Sequence, residues 1–113
     1  MESKTIDCPL ELTVSLIGNK WKPLIIHYLM DGTMRFSELQ HAIPQISQKI
    51  LTDNLRRLES DGLISRAIFA EVPPRVEYTL TGIGKTLEPL ISIMQQWGLK
   101  YQKKTEVDIR ENA

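Results

Sequence analysis

Residues 37–62 read SELQHAIPQISQKILTDNLRRLESDG, and this stretch decides the fold. Ser37 followed three positions later by Gln40 is a capping-box pattern, which predicts a short helix with Leu39 and Ile43 turned inward. Pro44 closes that helix. Only the tripeptide Pro44–Ile46 separates it from Ser47, the expected N-cap of a second helix that stops near Asp61-Gly62. At about 100° per residue, Leu51, Leu55 and Leu58 fall in one narrow sector and predict a buried seam. Lys49, Thr52 and Arg56 fall on the opposite side, with Asp53 beside them and Gln48 at the entrance.

Upstream, helical spacing runs from Pro9 to about Ile17. Leu10, Val14 and Ile17 share one face while Leu12 and Leu16 form another, so a small monomer would have difficulty burying both. Trp21, Leu24, Ile25, Tyr28 and Leu29 then recur at helical spacing, with Pro23 in the first turn and Asp31-Gly32 as a stop. Downstream the period changes to two. Ile64 and Ile68 alternate with Ser65 and Ala67, and Val76, Tyr78 and Leu80 alternate with Glu77 and Thr79. Between these runs, Glu71-Val72-Pro73-Pro74-Arg75 suits a stiff hairpin tip. Thr81 is expected to cap one long final helix reaching about Lys104, kinked at Pro89. The order α-α-α-α-β-β-α predicts a mainly α chain with a small β hairpin, the winged helix-turn-helix arrangement. Residues 8–104 form the expected domain, residues 1–7 a flexible N-terminus and residues 105–113 a charged tail.

With 113 residues, the chain has room for one core. Fourteen basic and fourteen acidic residues cancel, so net charge gives no support to nucleic-acid binding and only local charge can. The single cysteine, Cys8, excludes an intrachain disulfide and any zinc site built on several thiolates. No apolar run approaches the roughly 20 residues of a membrane span, and the N-terminus lacks a signal-peptide core. A soluble, cytoplasmic protein with no membrane partner is expected. His27 and His41 have no cysteine or carboxylate pair at ligand spacing, and Gly82 and Gly84 belong to no phosphate-loop pattern. No enzyme, metal or cofactor is therefore expected.

Between Gly18 and Leu58 the basic residues are Lys20, Lys22, Arg35, Lys49, Arg56 and Arg57, against Asp31, Glu38 and Asp53. That local excess in a neutral chain suits a one-sided DNA surface. Lysine and arginine offer donors to guanine, glutamine can bridge adenine, and a threonine methyl can touch thymine. The N–H groups behind Ser47 can hold a phosphate. Lys49, Thr52 and Arg56 taken alone also suit an ordinary solvated helix face. Arg75, just after two prolines, suits insertion into a minor groove or plain solvent exposure. Asp53 would repel phosphates, accept from cytosine or orient its arginine neighbours. Zero net charge and Asp53 leave a competing possibility, a winged-helix protein-protein interaction module without specific DNA binding. A small-molecule pocket near Trp21, Tyr28 and Trp97 is a further alternative to a core role for these aromatics.

Six segments match a known pattern in order and spacing: residues 8–11 (CPLE), 18–21 (GNKW), 35–39 (RFSEL), 46–49 (ISQK), 55–64 (LRRLESDGLI) and 74–81 (PRVEYTLT). From about Cys8 to Trp97 the chain resembles the HxlR family, bacterial winged helix-turn-helix transcription regulators related more distantly to the MarR type. The resemblance implies a homodimer on double-stranded operator DNA, joined through its first and last helices; the family includes both repressors and activators, and a repressor is the expectation here. It also implies that Ser47, Gln48, Lys49, Thr52 and Arg56 lie on the recognition helix and Arg75 on the wing. Arg35 joins them as an expected phosphate contact. Some members sense oxidants or electrophiles through the cysteine that Cys8 matches.

The sequence itself supports the dimer. Leu87, Leu90, Ile91, Met94 and Tyr101 form one apolar stripe of the last helix, and Ile83, Ile93 and Trp97 populate another. So much apolar girth would leave a patch on a monomer, which the first helix of a partner, with Leu12 and Leu16, can cover. Two-fold symmetry would place the recognition helices about 34 Å apart on a palindromic site. Cys8, before Pro9, falls at the start of the first helix, where the helix dipole favours thiolate and Asp7 opposes it. An unreactive thiol buried at the dimer seam is the other reading.

Overall fold

Pro9 at the first helical position starts α1 (Pro9–Ile17), with Cys8 as its N-cap. The computed structural model describes residues 7–111, with side chains to residue 106. After α1 come α2 (Lys22–Leu29), β1 (Met34–Arg35), α3 (Phe36–Ala42), α4 (Gln48–Ser60), β2 (Ile64–Phe69), β3 (Arg75–Leu80), α5 (Gly82–Lys85) and α6 (Glu88–Glu111). This is the winged helix-turn-helix order. The expected flexible N-terminus lies outside the described residues except for Asp7.

The core forms where the inward faces of α2, α3 and α4 meet. Ile25, Ile26, Leu39, Ile43, Leu51, Leu55 and Leu58 are buried there, joined by Ile64, Tyr78 and Leu80 from the sheet. The seam expected on residues 51–58 is therefore the docking face of α4. Ser47 Oγ accepts from the Ile50 amide at 3.1 Å and caps that helix. Its other end is a Schellman turn: Gly62 adopts φ +77°, Leu63 N–H reaches Leu58 O, and Gly62 N–H reaches Glu59 O. Leu58 and Leu63, both buried, complete the motif.

Four local expectations need correction. First, the sheet has three strands in the order β1-β3-β2 rather than two, because Met34 and Arg35 pair antiparallel with Tyr78 and Glu77. Two residues are too few to show a period. Second, α3 starts one residue before Ser37, and its reciprocal carboxylate is Glu38, which accepts from the Arg35 amide at 2.8 Å. Third, the single long helix after Thr81 is two helices broken at Thr86-Leu87. Pro89 has no N–H to give the Lys85 carbonyl and its ring would clash there, so helix winding restarts with Pro89 in the first turn of α6. Fourth, α6 runs through residues 105–111, which were expected to form a tail.

Thr81 does cap, but it caps α5. Its hydroxyl accepts from Gly84 N–H at 3.1 Å and donates to Gly62 O at 2.6 Å, pinning α5 to the turn behind α4. The approach is close enough that a Cβ on Gly84 would lie 2.0 Å from Leu63 O, so no larger residue fits there. Beyond α5, α6 packs on α2 through its first turns. The 24 residues of α6 span about 36 Å and leave the body of the domain. The radius of gyration, 16.9 Å, records this overhang, since a compact chain of this length would have about 13 Å.

Candidate nucleic-acid interface

With Leu51, Leu55 and Leu58 fixed in the core, helical geometry forces Lys49, Asp53 and Arg56 outward, and all three are exposed. Together with Gln48 and half-buried Thr52 they line one open depression on α4. Thr52 Oγ1 donates to Gln48 O at 2.8 Å, which fixes its rotamer and commits its hydroxyl to its own helix. Ser47 and Gln48 are exposed at the N-terminal end, where the free amides of the first turn point outward. The structure thus brings Ser47, Gln48, Lys49, Thr52 and Arg56 together on one helix.

Arg35 and Arg75 lie elsewhere. They share a groove of about 420 Å³ between the start of α3 and the wing, with Pro73 and Pro74 on its far wall. Arg75 is not at the tip, as its place after two prolines suggested, but is the first residue of β3, opposite Phe69. Its guanidinium lies 4.2 Å over the Phe69 ring, with Nη1 at 2.8 Å from Glu71 and Nε at 3.1 Å from Glu77. An aromatic face and two carboxylates hold the arginine against the wing, away from the protruding position that groove insertion needs.

One further basic residue departs from expectation. Lys22, counted in the basic excess that suits a DNA surface, is 5% exposed, because it opens α2 on the side that faces the core. Lys20 stays exposed, with Nζ 4.6 Å over the Trp21 ring.

Sequence reasoning missed a polar link behind the interface. Asn19 Nδ2 donates to Asn54 Oδ1, Asn54 Nδ2 donates to Ile50 O, and Asn19 Oδ1 accepts from the Trp21 and Lys22 amides, all at 2.8–2.9 Å. Asn54 is buried between Leu51 and Leu58 on the docking face, and a polar residue in an apolar seam was the available signal.

The expected dimer stripe divides in two. Ile91 is 4% exposed and belongs to the core of its own chain, with Leu87 and Leu90 packed against that core. Ile91 lies where α6 crosses α2, beside Pro23, Leu24, His27 and Tyr28, so it is corrected from interface to core. Met94, at the edge of that crossing, and Trp97 and Tyr101, beyond it, are exposed, Trp97 at 66%. The Trp97 and Tyr101 rings stack at 5.4 Å. On α1, Leu10, Leu12 and Val14 are exposed and Leu16 is half-buried. Cys8 is exposed at the N-cap, and its side chain makes no capping bond. Trp21 and Tyr28 pack against the core, whereas Trp97 does not.

A three-helix core, a docked and polar-faced α4 and a β2-β3 wing define a winged helix-turn-helix protein of the DNA-binding class. The family model described as HxlR-like helix-turn-helix matches residues 16–106, and the chain belongs to that family. It is a transcriptional regulator with a helix-turn-helix DNA-binding domain, and the family is not one of enzymes. The chain is 48% identical over 99 residues to the Bacillus subtilis HTH-type transcriptional regulator YdeP, covering 88% of this chain and 77% of YdeP. It is 45% identical over 91 residues to the B. subtilis HTH-type transcriptional regulator YodB, covering 80% and 81%. The solved structure of the redox regulator HypR in its reduced form superposes with a TM-score of 0.83 at 42% identity, covering 88% of this chain and 99% of HypR. No helix among the described residues is long and apolar enough to cross a membrane.

Proposed function

We propose that the chain acts as a homodimeric, sequence-specific repressor on a palindromic operator and that Cys8 sets its DNA affinity in response to oxidants or electrophiles. The outward face of α4 supports this reading most directly. Its apolar side is committed to the core, which leaves Gln48 and Lys49, with half-buried Thr52 beside them, on the face open to an external ligand. Ser47 with its free amides and Arg35 flank that face as phosphate contacts. Arg56 continues it toward the wing. Arg75 reaches DNA only after leaving Glu71 and Glu77, which makes it a contact formed on binding. Such a regulator works in the cytoplasm, where the duplex is, and needs no cofactor. Residues 8–104 make up its functional domain, with the helical end of α6 continuing beyond.

The dimer reading is supported by apolar surface that one chain leaves uncovered: Leu12 on α1, and Met94, Trp97 and Tyr101 on α6, with Leu16, Leu87 and Leu90 at the margin. The partner that matches this surface is a second copy, α1 of each lying on α6 of the other. Cys8 begins one of these helices, and the likeness to a redox regulator gives its exposed thiol a role. Two Cys8 thiols can lose two electrons and two protons to an oxidant and form an intersubunit disulfide, or each thiolate can add to an electrophile. Either change at the start of α1 would alter how the two α4 helices are spaced. Footprinting with and without a thiol oxidant tests this. The unsubstituted chain should protect a palindrome and lose it under oxidant, and Cys8→Ser should keep it. Equal loss in both would remove Cys8 as the sensor, and no protected site would remove the repressor.

A further inference from the structure

Between α4 and the wing lies a cavity of about 230 Å³ lined by Thr52, Arg56, Glu59, Arg66 and Tyr78. Tyr78 is 8% exposed and lines this cavity together with the charged side chains. Arg66, Glu59 and Arg56 line the same cavity as Tyr78, so the phenol shares its wall with two cations and one carboxylate. Burial pushes the phenol above its ordinary 10.0, so it stays a donor at neutral pH. Arg66 stands directly opposite Tyr78 in the β2-β3 register, and its Nε is 3.3 Å from the Glu59 carboxylate. Arg56 makes no ion pair among the described residues. The wall therefore holds two guanidiniums and a tyrosine phenol against one carboxylate.

We propose that this cavity is a socket for one backbone phosphate of bound duplex DNA, held by Arg56, Arg66 and the Tyr78 hydroxyl. The proposal rests on α4 meeting the duplex, as above, and adds two residues from the wing strands. Guanidinium forks match the paired oxygens of a phosphodiester, and a protonated phenol supplies a third donor. Glu59 holds Arg66 in place while the socket is empty. It also opposes an incoming anion and must release Arg66 when the phosphate arrives. A phosphate seated here would fix the depth and tilt of α4 without reading sequence.

Duplex binding measured against salt concentration tests the socket, using both a selected and a scrambled sequence. Arg66→Gln should weaken both by roughly three- to tenfold and lower the slope of log affinity against log salt by about one. Arg66→Lys should restore most of the slope, because the charge returns without the fork. Tyr78→Phe should weaken both duplexes and leave the slope unchanged. Glu59→Gln breaks the same ion pair as Arg66→Gln yet should tighten binding, which a merely structural pair would not do. Parallel weakening by Glu59→Gln and Arg66→Gln, or an unchanged slope in Arg66→Gln, overturns the socket while leaving α4 as the reader. If millimolar inorganic phosphate alters the Tyr78 absorbance without DNA and Arg66→Gln leaves duplex binding intact, the site takes free phosphate and the duplex assignment falls. Failure of the unsubstituted chain to bind any duplex would instead sink the reading of α4 itself.

Discussion

Asn19 Nδ2 donates to Asn54 Oδ1 at 2.8 Å and ties the start of α2 to the middle of α4. Asn54 is buried, so truncating it removes two side-chain hydrogen bonds, the one from Asn19 and the one to the Ile50 carbonyl, which keeps its helical partner. Asn54→Ala should therefore cost about 1–3 kcal/mol. Urea denaturation should show the loss as a lower midpoint. An unchanged midpoint would mean that the link is dispensable.

Gln45, in the turn between α3 and α4, adopts φ +68°, a left-handed conformation that strains a residue bearing a Cβ. Gln45→Gly removes the strain but raises the entropy of the unfolded chain, for a net gain of about 0.5–1 kcal/mol. Gln45→Val should destabilise. Thermal melts of the three proteins should rank Gly above Gln above Val, and the reverse order would show that the turn changes conformation.

The buried Tyr78 phenol titrates above its ordinary 10.0 in the folded chain. Once pH passes the unfolded value, only the unfolded chain loses this proton, so stability is full below about pH 10 and falls as pH rises toward the folded value. Tyr78→Phe should flatten that alkaline decline. Denaturation midpoints from pH 8 to 11 test it, and identical slopes in the two proteins would contradict the burial argument.

Most of this architecture was legible because its signals are local. The Leu51-Leu55-Leu58 period, the Ser47 cap and the Asp61-Gly62 stop place α4 within a residue of its observed bounds. Strand β1 was not legible, since two residues carry no period and their pairing with Tyr78 and Glu77 is set by tertiary structure. Pro89 was assigned the right physics and the wrong place: its missing N–H breaks the helix three residues earlier, at Thr86. Ile91 and Met94 read as one stripe because periodicity records which face is apolar, not which neighbour covers it. The capture of Arg75 by Glu71, Glu77 and Phe69 depends on a hairpin closing, which residue type at a tip does not reveal.

Trp97 and Tyr101 stack on a part of α6 that touches little of its own chain. A charge placed there should spare folding and break association. Trp97→Glu should raise the dimer dissociation constant at least a hundredfold, about 3 kcal/mol, with unchanged helix content. Sedimentation equilibrium at micromolar concentration should find dimers of the unsubstituted chain and single chains of the variant. Single chains in both would remove the proposed interface.

Lys49 is exposed near the N-terminal end of α4 and makes no ion pair among the described residues. If that end of the helix reads base edges, Lys49→Ala should cost about 1–3 kcal/mol on the cognate duplex and much less on a scrambled one. Fluorescence anisotropy is the direct measurement, with a duplex that the unsubstituted chain selects from a random pool. Expected is a drop of roughly five- to a hundredfold confined to the selected sequence. Equal affinity of Lys49→Ala and the unsubstituted chain for that duplex would contradict the claim that this face of α4 recognises DNA.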